Sequence, residues 1–430
     1  MGRPEEKESS AKSYKITQKL NQSQRKMSNQ AHFLNLPSHL INDILSRLPT
    51  KTIIQCKSVC KSWLSLLSES EFTKLHLQRS PPCLIINKFG CHPSELTCFG
   101  LVEFEDEPDH HGFRYVAGTT IKPPEGCIEN GLSVTMVGSI NGLICLTESY
   151  HKHDAVNLWN PIMRESIALP VPEWGRSYTS TVSYGFGLSS ESRKYKVVRI
   201  FVELEKNTRH ILKSNCYVYT LGEETELWRR IEQAPFLYNY GTYGVFLNGN
   251  LHWLTDDQDS SELISCFNLE TELFSPFPAP PELRKNFNLA SLGVSGGCLR
   301  LYDNNSDDEI VIWVMKEYGI KKLWTKEFVI QKEPVHLIDP SYELVRVLKV
   351  FKDGDILLLW RDEFFLSYDC WRQILHQSGV DNDKLIKKAD DQMNEDGYAE
   401  KSYPCIDVMD YVPSFLSLKN FGIQMVESTN

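Results

Sequence analysis

Cys91, His92, Cys98, His110 and His111 are the ligand types of a zinc site. Closed zinc sites space their ligands in short pairs, and these gaps fit no such pattern, so the segment reads as a loop without metal. Gly185-Phe186-Gly187 resembles part of a phosphate-cradling loop. It lacks the third glycine and the following helix that would present N–H groups, so it reads as a structural turn. Cys56 and Cys60 stand at i, i+4 and read as packed residues rather than a redox pair or ligands. His151 and His153 have no carboxylate or serine partner in the pattern and read as solvated. His252, beside Trp253 in an apolar run, reads as a satisfied core histidine. Asp256, Asp257 and Asp303 follow strand-like runs and suit polar loops better than a paired-carboxylate site. No phosphate-binding loop with a lysine and no nucleophile elbow is present. The expectation is no catalytic residue, no cofactor and no metal.

The stretch from Leu36 to Trp63 is the most ordered element. Leu36, Leu40, Ile44, Leu45 and Leu48 recur at helical spacing. Asn35 or Ser38 is placed to cap the start, Pro37 suits a first turn, and Pro49 ends the helix. Thr50 is placed to cap a second helix carrying Ile53, Ile54, Cys56, Cys60, Trp63, Leu64 and Leu67. A third helix is predicted over 69–78, capped by Ser68 or Ser70, with Phe72, Leu75 and Leu77 inward. Two such helices cannot hide this much apolar surface between themselves. The surplus needs a third element, the rest of the chain or another protein.

Leu36-Pro37, Leu40, Ile44-Leu45, Leu48-Pro49, Val59-Cys60-Lys61 and Trp63 together resemble an F-box, a three-helix module that docks onto a Skp-type adaptor. The resemblance implies adaptor-binding roles for Leu36, Pro37, Leu40, Ile44, Leu45, Leu48, Pro49, Ile53, Ile54, Val59, Cys60 and Trp63. His39 and Asn42 stand where the family commonly has acidic residues, which puts a charge contact there in doubt.

At 430 residues and 41% hydrophobic content the chain is long enough for two domains and a sizeable core. The net charge of −10 argues against a general nucleic-acid binder. From Leu36 to Ser80 six Lys/Arg face three Asp/Glu, net +3, leaving −13 on the remainder. A basic module on an acidic protein fits an acidic partner. The 12 cysteines are scattered without a C-x-x-C pair and imply a reducing compartment. Residues 1–30 have no signal-peptide core and no apolar run approaches a membrane span, so the expected location is cytoplasmic and/or nuclear, without membrane or nucleic-acid partners.

Residues 1–32 are rich in Ser, Lys, Gln, Asn and Glu and read as a disordered tail; the helical module covers 33–80, and Pro81-Pro82 marks a boundary. Residues 81–425 read as mainly β, with a mobile acidic insertion near 377–400. A unit recurs there: strand, glycine turn, strand, polar gap, third strand. The turns are Asn141-Gly142, Asn248-Gly249, Gly296-Gly297 and Asp353-Gly354, dipeptides that allow positive φ at both central positions. A further unit, Tyr195–Val202, Asn215–Leu221 and Trp228–Ile231, lacks the turn. The turn glycines lie 107, 48 and 57 residues apart, which gives a period of about 50, as in kelch-like propeller blades, and about six blades. The open alternative is a β-sandwich. A late strand in Tyr411–Leu418 is expected to complete the first blade. The scattered tryptophans (Trp159, Trp174, Trp228, Trp253, Trp313, Trp324, Trp360) read mainly as blade packing.

Tyr184-Gly185-Phe186-Gly187-Leu188, Tyr195-Lys196-Val197-Val198-Arg199, Asn160-Pro161, Asn141-Gly142-Leu143 and Gly249-Asn250-Leu251-His252-Trp253 resemble the F-box-associated domain of plant F-box proteins. The two resemblances imply a non-catalytic substrate-recognition subunit of a Skp–cullin–F-box ubiquitin ligase. Its partners would be a Skp-type adaptor, through it a cullin and a RING subunit, and an unknown target protein. The alternatives are an F-box scaffold outside a ligase and a ligand-binding propeller.

Overall fold

The computed structural model describes residues 36–88, 98–107, 110–115, 134–148, 155–170, 180–205, 211–223, 225, 227–231, 234–235, 237, 243–255, 263–283, 290–306, 308–331, 345–360, 364–369, 374–377, 406–422 and 426–428. The predicted tail, most of the acidic insertion, Cys91, His92, His151, His153, Trp174, Asp256 and Asp257 lie outside them. The chain divides into two units at Ser80/Pro81.

Among the described residues the first unit has four helices: α1 (Ser38–Leu45), α2 (Thr50–Cys56), α3 (Lys61–Leu66) and α4 (Ser70–Arg79). The predicted second helix is therefore two. The chain leaves α2 after Cys56, and Cys60 turns extended before α3 begins. Pro37 and Pro49 take the cap positions of α1 and α2, and no side chain caps either helix. Both prolines hold φ near −55°, a value preset by the ring, so the turns are made without the expected Ser or Thr caps. Glu69, not a serine, precedes α4.

Among the described residues the second unit contains six antiparallel sheets. The first joins β1 (Cys83–Lys88), β2 (Cys98–Glu107) and β3 (His110–Tyr115) to β24 (Ile406–Tyr411). The second joins β4 (Val134–Ile140), β5 (Leu143–Glu148), β6 (Val156–Asn160) and β7 (Glu165–Ala168), with β25 (Glu427–Ser428) on its outer edge. The third holds β8 (Ser180–Leu188), β9 (Tyr195–Leu204), β10 (Ile211–Thr220) and β11 (Arg229–Ile231). The fourth holds β12 (Val245–Leu247), β13 (Asn250–Leu254), β14 (Ile264–Asn268) and β15 (Leu273–Phe277). The fifth holds β16 (Ala290–Ser295), β17 (Cys298–Asp303), β18 (Glu309–Met315) and β19 (Trp324–Gln331). The sixth holds β20 (Val345–Val350), β21 (Ile356–Trp360), β22 (Phe364–Asp369) and β23 (Ile374–Gln377).

Each sheet is apolar on both faces and must be covered twice. Among the described residues six apolar cores do this, one at each junction between neighbours. Trp159 and Phe99 meet between the second and first sheets, and Val197, Leu158 and Phe186 share one core between the third and second. Trp253 and Val198 join the fourth and third, Leu299 and Ile264 the fifth and fourth. Ile310 and Val347 join the fifth and sixth, Leu357 and Leu84 the sixth and first. The ring thus closes as a β-propeller, which overturns the sandwich alternative. Successive sheets touch through their first strands: β24 on β4, β4 on β8, β8 on β12, β12 on β16 and β16 on β20. These strands line the axis.

The C-terminal strand β24 supplies the first sheet's inner strand, in register from Cys83↔Tyr411 to Lys88↔Ile406. Asn141, Gly142, Asn248, Gly249, Gly296 and Gly297 all have positive φ, as a two-residue hairpin requires. Asp353-Gly354 differs. Only Gly354 is positive, because the connection runs over 351–355 and is closed by Phe351 N–H to Asp355 O and Gly354 N–H to Phe351 O. Cys98, His110 and His111, expected in a loop, lie in β2 and β3.

Candidate functional site

Helix α1 is apolar on two sides. Ile41 and Leu45, four residues apart, are 6% and 2% exposed and form the inner side with Ile53, Cys56, Leu67 and Phe72. Leu40 and Ile44, displaced by one position, are 43% and 42% exposed. The step of about 100° per residue turns one stripe to the core and the other to solvent. On α2 the same step separates Ile53, fully buried, from Ile54, 43% exposed. Val59 between α2 and α3 is 56% exposed and Leu64 on α3 is 47% exposed.

Two of the twelve proposed docking residues are therefore corrected. Leu45 and Ile53 are sealed within their own unit and hold the helices together. Leu40, Ile44, Ile54, Val59, Pro37 and Pro49 are exposed; Leu36, Leu48, Cys60 and Trp63 are partly buried. Leu64 and Ile41 are not among those twelve, although helical spacing carries both. Of the nine large apolar residues exposed among the described residues, five lie in this short unit. Dense sets of exposed apolar residues mark interaction sites.

Charges fix the unit without covering that set. Arg79 at the end of α4 donates to Asp43 Oδ1 at 2.7 Å, to the Asp43 carbonyl at 3.1 Å and to Ser46 Oγ at 2.6 Å, which ties α4 to α1. Arg47 also grips Asp43, and hydrogen bonds from Arg47 and then Arg79 hold this carboxyl below its ordinary range. Burial pushes the Cys56 thiol up, and it lowers His76 to about 4. Cys56 is a packed residue here, 9% exposed.

In the ring, the residues with chemical potential are used for packing. His252 is fully buried; its Nδ1 lies 3.0 Å from the Val245 carbonyl and its Nε2 lies 2.7 Å from the Tyr318 hydroxyl. Burial lowers it to about 4, so the ring is neutral and these two bonds are its function. The Gly185 and Gly187 positions on β8 leave no room for a side chain. A Cβ at Gly185 would sit 2.8 Å from Leu251 Cδ1, and one at Gly187 would meet Leu269 and lie 2.7 Å from Phe246. The glycines let the third and fourth sheets close on each other. Asp303 accepts from the Asn305 amide in a polar turn. The described residues contain no group of three or more His, Cys, Asp or Glu placed to hold a metal.

The tryptophans hold sheets together. The Trp253 indole donates to Ser183 Oγ in the third sheet at 3.0 Å. Trp228 donates to the Pro170 carbonyl at 2.7 Å, and Trp324 to the Pro278 carbonyl at 2.9 Å. In both, a proline just past the fourth strand of one sheet (β7 or β15) receives the indole of a tryptophan at or just before the outer strand of the next sheet. The sequence shows the Trp and the Pro, but their separations of 58 and 46 residues conceal the pairing.

Helices with an uncovered apolar set, preceding a six-sheet propeller in the chain, define a two-module architecture. Residues 33–75 match the F-box domain, and residues 106–377, more than half of the chain, match the F-box associated beta propeller domain. The chain belongs to the plant F-box proteins that carry an F-box-associated propeller. Among Arabidopsis thaliana relatives, F-box protein At3g07870 is 28% identical over 78% of this chain and 85% of its own length. F-box/kelch-repeat protein At3g23880 is 27% identical over 78% of this chain and 88% of its own. F-box protein CPR1 is 29% identical over 75% of this chain and 79% of its own.

Proposed function

We propose that the protein is the substrate-recognition subunit of a Skp–cullin–F-box ubiquitin ligase. The helical unit binds a Skp-type adaptor, and through it a cullin and a RING subunit; the propeller holds a target protein. The observation that carries this reading is the outward set Leu40, Ile44, Ile54, Val59 and Leu64, left over after the unit has built its own core. The remaining docking residues, Leu36, Pro37, Leu48, Pro49, Cys60 and Trp63, belong to the same proposed contact.

Covering the exposed part of those five side chains is worth on the order of 4–7 kcal/mol. Association alone costs an amount of that size or more, so the partly buried residues and the module's positive charge must add to the contact. On this reading the protein is not an enzyme. It raises the local concentration of target beside the charged ubiquitin carrier, and its contribution is proximity. It works in the cytoplasm and/or nucleus.

The test is reconstitution. Full-length protein is mixed with a Skp-type adaptor, cullin and RING subunit, and both complex formation and ubiquitination of captured protein are read. A stable complex that ubiquitinates its captive supports the reading. A complex that captures but never ubiquitinates returns the scaffold alternative, and no complex removes both.

A further inference from the structure

Of the large apolar residues exposed among the described ones, four belong to the ring: Leu227, Leu273, Ile320 and Val329. The first three hold the same place in the fold. Leu227, 68% exposed, stands between β10 and β11. Leu273, 66% exposed, opens β15, and Ile320, 44% exposed, stands between β18 and β19. Each lies at the corner where the third strand of a sheet passes to the fourth, in three successive sheets. Arg229, two residues past Leu227, reaches Glu272, the neighbour of Leu273, at 2.6 Å, so the first two corners adjoin. Tyr318, two residues before Ile320, reaches His252 of the fourth sheet at 2.7 Å and brings the third corner against that sheet.

The equivalent corner of the second sheet is covered by the chain itself. Asn160 and Glu165 flank it and hold residues 414–418 there by hydrogen bonds of 2.7–3.1 Å. From 412 to 417 this segment is neither helix nor strand. It runs on to the third sheet's corner, where a Cβ at Gly222 would lie 3.2 Å from the Phe421 carbonyl. Beyond Gly422, with φ 73°, Glu427 and Ser428 are back on the second sheet, paired with β7. The cover therefore ends where Leu227 begins the bare arc.

We propose that the arc continues this track and takes one extended segment of the ubiquitination target. The idea rests on the proposed function and adds the place and chemistry of recognition. The segment supplies apolar side chains for Leu227 and Leu273, as exposed apolar sets at binding sites require. It supplies carboxylates for the far end, because the exposed Lys316, Lys321 and Lys322 outnumber Glu317 around Ile320. That end is rigid. The Lys316 N–H donates to the Leu323 carbonyl and the Ile320 N–H to the Glu317 carbonyl, so Ile320 is held outward by the loop's own bonds.

The test selects binders to the full-length protein from a displayed library of random dodecapeptides. Selected peptides should combine apolar residues with Asp or Glu. They should bind Leu227→Asp and Leu273→Asp at least about tenfold more weakly, and Lys321→Glu with Lys322→Glu likewise. Tm should hold, since these side chains are exposed. Val329→Asp, away from the corners, and Ile44→Asp on α1 should bind as the wild type does. No selected peptide that depends on Leu227 and Leu273 overturns the proposal. So does a wild-type dimer in sedimentation that Leu273→Asp dissolves, because the arc then takes a second copy. Reconstitution of the ligase is read separately. A chain that ubiquitinates its captive but selects no arc-dependent peptide loses the arc alone; arc-dependent peptides on a chain that never ubiquitinates keep the docking track and remove the ligase reading.

Discussion

The Asn160 amide nitrogen donates to the backbone carbonyl of Ser414 at 3.1 Å, across 254 residues of sequence. It also reaches Leu416 at 2.7 Å, while Oδ1 accepts from the Ile162 and Met163 amides. Glu165, at the start of β7, accepts from Ser417 Oγ and the Leu418 amide, both at 2.8 Å. The segment after β24 is thereby stitched to the second sheet, and Leu418 and Phe421 pack onto the core between the second and third. Asn160→Ala is expected to cost about 2–4 kcal/mol, because several buried bonds go at once. Removing residues 412–430 should lower Tm by at least as much, and Asn160→Ala in that shortened chain should cost far less than in the full one. Equal costs in both backgrounds, by urea denaturation, would show the stitching to be idle.

On α1, neighbours predict opposite phenotypes. Ile44→Asp should leave the helical unit folded, by circular dichroism and exchange protection of α1, while adaptor co-purification is lost. Leu45→Ala should cost about 2–5 kcal/mol and loosen the whole unit. If both variants behave alike, the division of the helix into an inner and an outer stripe is wrong.

Lys196 is 6% exposed on β9, and its ammonium donates to the Leu269 carbonyl at 2.6 Å and to Glu272 at 2.8 Å across the third and fourth sheets. Arg229 holds the other side of Glu272 at 2.6 Å. Lys196→Met should destabilise by about 2–4 kcal/mol, since it strands a buried carbonyl and half-releases Glu272. Arg229→Met, at the exposed end of the same network, should cost under about 1 kcal/mol. Thermal denaturation of the two variants ranks them.

His252 sits near 4 in the folded ring against an ordinary 6.5. Its folded value is depressed, so the unfolded chain takes up the proton first and stability falls as pH drops below 6.5. Between pH 7.5 and pH 5 the loss is about 2 kcal/mol. His252→Gln should lack this component, and the difference between the two urea curves cancels what other groups contribute. Parallel pH dependence in both proteins would mean that folding leaves the proton affinity of His252 unchanged.

What was legible in the sequence follows from what each signal encodes. Asn-Gly and Gly-Gly turns specify backbone conformation locally, and three of the four predicted turns have both residues at positive φ. Asp353-Gly354 fails because its flanking residues form a longer loop. Apolar spacing located α1 but not its inward side, since Leu40, Ile41, Ile44 and Leu45 fill two stripes and periodicity cannot rank them. Gly185-Phe186-Gly187 reads as a turn but runs straight through β8, because its glycines answer to Leu251, Leu269 and Phe246 of another sheet rather than to a bend of the chain. Asn160 and Glu165 gave no hint of their tasks, because their partners arrive some 250 residues later.

Tyr411 ends the strand that completes the first sheet. A ribosome releases the helical unit early, whereas the ring must wait until translation is almost finished. A message cut short before codon 406 would therefore yield a helical module joined to five sheets and an unfinished first one. On the proposed function, such a product would compete for the adaptor with an open ring in place of a closed one.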